Sequence, residues 1–476
     1  MKPFIFIGMM CLGATLVLAQ KTKQDVIQSI DQEYDSYSGI AHQIWEFAEL
    51  GYQETKSSAL LQKTLKEAGF TVESGVAGMP TAFVATYGSG KPVIGILGEF
   101  DALPGVSQMA KPAKEARAGS NNGHACGHHL FGTASSAAAI AVKDWLIANK
   151  KSGTIRFYGT PAEEGGSGKV YMVRGNLFND VDVVLHWHPG SRNSAVAGSS
   201  LANISGKFRF YGAASHAAGA PERGRSALDA VEAMNYMVNM MREHVPQETR
   251  IHYVITRGGE APNVVPAFAE VYYYARHPLA AEAKSVWERI IKAAEGAALG
   301  TETKMEYEMT GGVYNLMPNE VLSKMMDANL RTLGGYTYTE EERAFAVEIQ
   351  KSFGGKVPSV ESTKEIEPFA VREEGQGGST DVGDISWVVP TVGLTTATWV
   401  PGTAAHSWQA VAAGGTSIGH KGMMVAAKTI ALTAIDLFNA PGMIEEAWAE
   451  LRTRRGADFK YQALLGDRPP ALDYRK

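Results

Sequence analysis

Short apolar runs of strand length, separated by helical stretches, constrain this chain more than any other feature. Thr81–Tyr87, Val93–Leu97, Thr154–Tyr158 and Val181–Leu185 have strand length, and between them lie helix-period segments such as Ala134–Ala148. Two more helical stretches, 24–50 and 55–68, come first, with Gly51 and Gly69 placed to end them. Apolar strands of this kind need cover on both faces. The pattern therefore predicts an α/β fold with a mixed, largely parallel sheet. Such sheets bind ligands beyond the carboxyl ends of their strands. Polar clusters fall there: Glu99 and Asp101 after one strand, Glu163 and Glu164 after another, His186 and His188 at the end of a third.

The rhythm changes after residue 200. Ile204–Tyr211, Arg250–Arg257, Phe268–Arg276 and Thr301–Glu308 read as strands, Ser226–Glu243 and Ala280–Ala298 as helices. That β-α-β-β-α-β order predicts an inserted ferredoxin-like α+β domain. At 476 residues the chain is too long for one ordinary core. The expected division is a first domain over 20–200 and 312–440, the insert over 201–311, and a charged tail over 441–476 carrying Pro469 and Pro470. Within the first domain, 339–376 is charged and Gly-containing and is expected to be loop-rich. Thr416–Phe438 is expected to be a last amphipathic helix.

The net charge of −5 and the lack of any Lys/Arg run argue against a nucleic-acid partner. Lys2, the apolar stretch Phe4–Leu18 and the small side chain of Ala19 predict a secretory signal over residues 1–19, hence an exported, periplasmic protein. No later segment is expected to span a membrane. Cleavage would remove Cys11 and leave Cys126 as the single thiol, so no internal disulfide can form. A lone thiol in an oxidising compartment needs protection, and metal ligation supplies it.

Four separated segments carry candidate ligands. Gly123-His124-Ala125-Cys126-Gly127-His128-His129 places thiolate and imidazole donors in a Gly-bracketed turn. Pro161-Ala162-Glu163-Glu164-Gly165-Gly166 sets two adjacent carboxylates after a strand, an arrangement eased by a cation. One carboxylate can bind metal while the other works on water. In Leu185-His186-Trp187-His188-Pro189, strand alternation puts both histidines on one face, so either can reach the site. Ala405-His406-Ser407-Trp408 lies far down the chain and draws its interest from the other three.

These segments, with Gly98-Glu99-Phe100-Asp101-Ala102-Leu103-Pro104, resemble the M20 metallopeptidase family, most of all its amidohydrolase branch (subfamily D). Ala214-Ser215-His216-Ala217-Ala218, Gly224–Ala230, Pro262-Asn263-Val264-Val265-Pro266, Ser379–Asp384 and the stretch from His406 to Lys421 resemble an aminobenzoyl-glutamate-utilisation group within it. The similarity spans roughly residues 24–440. It implies a catalytic domain with an inserted dimerisation or lid domain. Carried over residue by residue, it implies Cys126 bridging two divalent metals, with His128 and His188 on one, and Glu164 and His406 on the other. Glu163 would be the general base and Asp101 an orienting group. His216 would steady the oxyanion, reaching a partner subunit's site, while Asn263 and Arg276 would hold the substrate's carbonyl and carboxylate. Two departures stand out: His129 replaces the branch's usual Asp, and Glu99 occupies the place of a metal-binding histidine in other M20 peptidases.

The expected activity is hydrolysis of the amide bond of an N-acyl amino acid, aminobenzoyl-glutamate or a similar compound. Zn²⁺ or Mn²⁺ suits the site, and Co²⁺ is able to serve. A homodimer, or a heteromeric partner subunit, is implied. A dipeptidase or carboxypeptidase on the same machinery, and a non-catalytic subunit of a two-subunit hydrolase, are the competing readings.

Overall fold

The structure, a computed structural model, describes residues 20–475 apart from Glu374 and Gln376. The predicted export signal over residues 1–19 lies outside the described residues. Strands are numbered along the chain. The larger sheet runs in the order β1 (Thr71–Ser74), β2 (Phe83–Ser89), β4 (Gly153–Thr160), β3 (Val93–Glu99), β5 (Val183–Gly190), β12 (Thr391–Ala397). Neighbours from β4 to β12 pair in parallel, while β1 and β2 join antiparallel at one edge. This is the mixed, largely parallel sheet that the apolar runs predict. β3 is buried along its whole length, which is why Val93–Glu99 lacks polar alternation.

Helices His128–Ala148 and Ser417–Asn439 pack on each other and on this sheet. Contrary to expectation, both are long and apolar enough to cross a bilayer. However, 78% and 83% of their apolar windows are buried inside the protein. They are core helices, apolar all round because protein surrounds them.

The second sheet has the order β10 (Lys304–Val313), β7 (Ala202–Tyr211), β9 (Phe268–His277), β8 (Arg250–Arg257), all antiparallel. Helices Ala227–Met241 and Ala280–Gly300 pack against it. A core of its own includes Phe208, Tyr273 and Trp287. β8 forms an edge and is mostly exposed. The two-residue strands β6 (Ala197–Gly198) and β11 (Val371–Arg372) pair in parallel near the chain's departure to this unit.

Three segments differ from expectation. The helical stretch 24–50 is two helices, Lys23–Gln32 and Tyr34–Phe47, interrupted at Glu33. The supposedly loop-rich 339–376 contains the helix Glu340–Gln350. Thr339 and Glu342 close a capping box at its start, satisfying backbone donors that the charged composition obscured. The charged tail opens with a helix, Pro441–Arg455, with its proline in the first turn where a missing N–H is harmless. That helix buries Ile444, Ala447 and Leu451, and the remaining residues run back across the molecule.

Candidate metal centre

The site assembles where β3, β4 and β5 end. Gly127 adopts φ +79°, and a Cβ there would stand 2.6 Å from Pro189 Cβ at the end of β5. Glycine lets the turn pass, so the helix begins at His128 rather than near Ala134. Ala162 (φ +56°) and His406 (φ +60°) are non-glycine residues in the left-handed region, a strain that persists only when surroundings impose it. Ala162 N donates to the buried Glu54 Oε1 at 2.8 Å, and His406 N to Ala125 O at 3.0 Å. Burial, then the nearby Asp101, pushes the Glu54 carboxyl up to about 8.

Cys126, His128 and His188 bring their donor atoms within 4.8 Å of one another, and so do Cys126, Glu164 and His406. Cys126 belongs to both groups. Its Sγ lies 3.4 Å from His188 Nε2, and His406 Nε2 lies 3.3 Å from Glu164 Oε1. His186 takes no part in either group: its ring packs on Gly393 of β12, where a Cβ would approach within 2.3 Å. The donors suit a divalent cation. Sulfur, imidazole and carboxylate are the ligands of zinc-type sites, and the buried His128 Nε2 and Glu164 Oε1 have charged neighbours, Glu99 Oε2 at 3.0 Å and His406 Nε2 at 3.3 Å, but no well-directed hydrogen bond. Burial, with the carboxylates of Glu164 and Glu163, pushes the Cys126 thiol up, an effect that a cation reverses.

Behind the donors lies a sealed set of charges. Asp101 Oδ1 is 2.8 Å from His128 Nδ1, and its Oδ2 accepts from Glu164 N at 2.9 Å. One carboxylate thus orients both a ring and a backbone segment. His188 Nδ1 donates to Pro189 O at 2.7 Å. Lys169 is fully buried, with its Nζ 2.7 Å from both Glu99 Oε1 and Asp381 Oδ1. Burial opposes its charge, but Asp381 and Glu99 outweigh that and hold the ammonium on. Glu99 also lies 3.0 Å from His128 Nε2. Burial, then Glu99 and Glu164, raises the Glu163 carboxyl well above the usual range.

No sequence motif gives Lys169 a role, although a lysine beside the apolar run Val170-Tyr171-Met172-Val173 is a signal of burial. His124 and His129 stay out of the cluster. Their Nε2 atoms meet Ile44 O and Gly414 O, each at 3.0 Å, with the rings 4.9 Å apart.

A cavity of about 760 Å³ opens over the donors, lined by Cys126, Glu163, His406, Tyr274, Arg276 and Arg475 among others. Arg276 sits 5.6 Å above the Tyr274 ring, its Nε buried and unpartnered. Asp101 lies behind the wall. His216 and Asn263 are exposed and not among the lining residues. They occupy adjoining loops, where Ala217 N donates to Asn263 O at 3.0 Å and His216 Nδ1 accepts from Ala218 and Gly219 N–H.

Known proteins share this arrangement of domains. Residues 202–302 match the peptidase dimerisation domain of the M20 group. The chain is 42% identical over 456 residues to one of the two subunits of p-aminobenzoyl-glutamate hydrolase from Escherichia coli K12, covering 90% of this chain and 95% of that protein. The chain belongs to the M20 peptidase family. It is a metallo-amidohydrolase of that family. Xaa-Arg dipeptidase of Mus musculus is 29% identical, covering 91% of this chain and 92% of that one. A dinuclear metal-binding M20 peptidase from Bacillus subtilis shares the fold, with TM-score 0.57 and 16% identity over 86% of this chain and 99% of the other.

Proposed function

We propose that this M20 member hydrolyses the amide bond of N-acyl amino acids of the aminobenzoyl-glutamate type at a centre for two divalent metal ions. The observation that carries this reading is Cys126 shared between two three-residue donor groups. Cys126, His128 and His188 would hold one ion and Cys126, Glu164 and His406 the other. When bound there, two such ions would supply Lewis acidity for a water and for the scissile carbonyl.

The chain's own residues do the rest. Glu163, in the cavity wall beside the donors, takes the water's proton and returns it to the leaving nitrogen. Its raised proton affinity, set by burial and neighbouring carboxylates, suits it to hold that proton. Asp101 keeps His128 in the orientation that points Nε2 at the site. Arg276, with no carboxylate paired to it among the described residues, receives the substrate's α-carboxylate bidentately. His216 and Asn263 serve the cavity of a second copy docked on the second sheet, His216 donating to the oxyanion.

The 42% identical relative is named as part of a two-component enzyme, which supports a heteromeric partner as the second assembly. Lys2, the apolar residues after it and Ala19 support export to the periplasm, testable by finding Gln20 at the mature N-terminus. Metal analysis of the purified protein, followed by a panel of N-acyl amino acids with and without chelator, tests the main reading. Chelator-insensitive turnover, or none on any acyl amino acid by metal-loaded protein, would overturn it.

A further inference from the structure

The segment after the last helix is built into the cavity. Phe459 stacks near Trp387, and Tyr461 donates to Asp384 Oδ1 at 2.7 Å. Leu465 is buried against β10, where a Cβ on Gly312 would stand 2.7 Å from Leu465 N. Arg468 pairs with Glu308 of β10 at 3.4 Å. Arg174 then holds the Asp467 and Arg468 carbonyls at 3.2 and 2.7 Å. At Tyr474 the ring meets Tyr52 edge-on, and its hydroxyl donates to Glu164 O at 3.0 Å. Gly51 admits this ring: a Cβ there would lie 2.2 Å from the Tyr474 oxygen. The segment therefore bridges β10 of the second sheet and helices and loops of the larger domain, and ends on the backbone of a metal-ligand candidate.

Its last described residue, Arg475, lines the cavity. One guanidinium nitrogen donates to Glu164 O at 2.8 Å, and no carboxylate pairs with Arg475 among the described residues. Arg276 lines the same cavity, equally without a carboxylate among the described residues. Both cations act on the Tyr274 hydroxyl, whose proton is otherwise held by burial. Two unpaired guanidinium groups thus face one cavity that also holds the donor cluster. Two guanidinium groups without anions in one cavity are matched by a ligand that brings two.

We propose that Arg475 is a specificity-determining residue that seats the side-chain carboxylate of an N-acyl acidic amino acid while Arg276 seats its α-carboxylate. This rests on the acyl amino acid reading above and assigns a residue to the second carboxylate of its glutamate-type substrates. It assigns the strap 456–475 to substrate recognition rather than to stability alone.

The test is calorimetric binding to metal-loaded full-length protein in a Glu163→Gln background, with p-aminobenzoyl-glutamate and p-aminobenzoyl-glutamine as probes. A charge-assisted contact predicts that the glutamate compound binds about 30-fold tighter than the glutamine one. Arg475→Ala is expected to reduce that preference to less than about 3-fold by weakening only the glutamate compound, and Arg475→Lys to restore part of it. Equal loss for both compounds would reduce Arg475 to a structural anchor, and an unchanged preference would remove it from recognition. Both outcomes overturn the proposal. Hydrolysis is assayed separately with Glu163 intact. Failure to cleave any acyl amino acid, with the glutamate preference intact, would overturn the reaction and leave the carboxylate seat standing.

Discussion

Around Lys169 the molecule seals its charges inside; on the second sheet it presents its polar groups outward. Lys169, Glu99, Asp381 and Asp101 are nearly inaccessible and meet one another, His128 and backbone groups within one chain. His216 and Asn263, by contrast, are exposed on loops of a unit whose edge strand β8 shows Val254 at 55% and Ile255 at 39% exposure. Tyr236 and Met240 on the helix beside it are 69% and 55% exposed. A sealed network is complete in itself. An unpaired strand edge with apolar side chains is a surface fitted for another chain. Under the function proposed above, one copy would supply ligands and base, while the exposed edge of the second sheet would meet another chain.

The comparison breaks first at Glu163. Glu163→Gln is expected to lower kcat by about 10³–10⁴-fold while two metal equivalents remain bound, as elemental analysis would show. Near-normal turnover would leave the donor cluster without its base. Next comes Lys169→Met, which strands two buried carboxylates and is expected to cost about 3–5 kcal/mol in urea unfolding. A cost under about 1 kcal/mol would mean that water already reaches the network.

His216→Ala is expected to lower kcat by about 10²-fold with little change in metal content. Mixing it with Glu163→Gln protein sharpens the contrast between the regions. If His216 serves the neighbour, random pairing regenerates about a quarter of the sites. Recovery of no activity on mixing would return His216 to its own chain. The smallest effect is expected from Val254→Arg on the β8 edge. It should shift sedimentation toward the monomer while changing folding stability by less than about 1 kcal/mol.

The sequence is most informative where chemistry is local. Glu163 and Glu164 sit together because their segment is contiguous, and Cys126 and His128 because one Gly-bracketed turn holds both. Strand alternation alone leaves His186 and His188 equivalent, and Gly393 on a distant strand separates them by making room for the His186 ring. Lys169 is silent in the sequence because its partners, Glu99 and Asp381, lie on two other segments. Arg475 is hidden for a related reason. A charged, proline-containing stretch looks solvated until Gly51 and Gly312 are seen making space for it. In the ferredoxin-like unit every strand expected is present, the last beginning at Lys304 instead of Thr301, because each is set by its own period even where, as for β7 with β9 and β10, its partners lie far along the chain.

The pairing of β5 with β12 has a consequence for how the chain matures. Thr391 aligns with Val184, so the last strand of the larger sheet emerges roughly two hundred residues after its neighbour, some 10–40 s later at ordinary rates of synthesis. Through that interval β5 is an unguarded border with most of its residues apolar, open to capture by any other nascent strand. The second sheet, whose four strands all lie within residues 202–313, is able to form during the delay. Yield of soluble protein should therefore depend on whatever shields β5 until the ribosome delivers its mate.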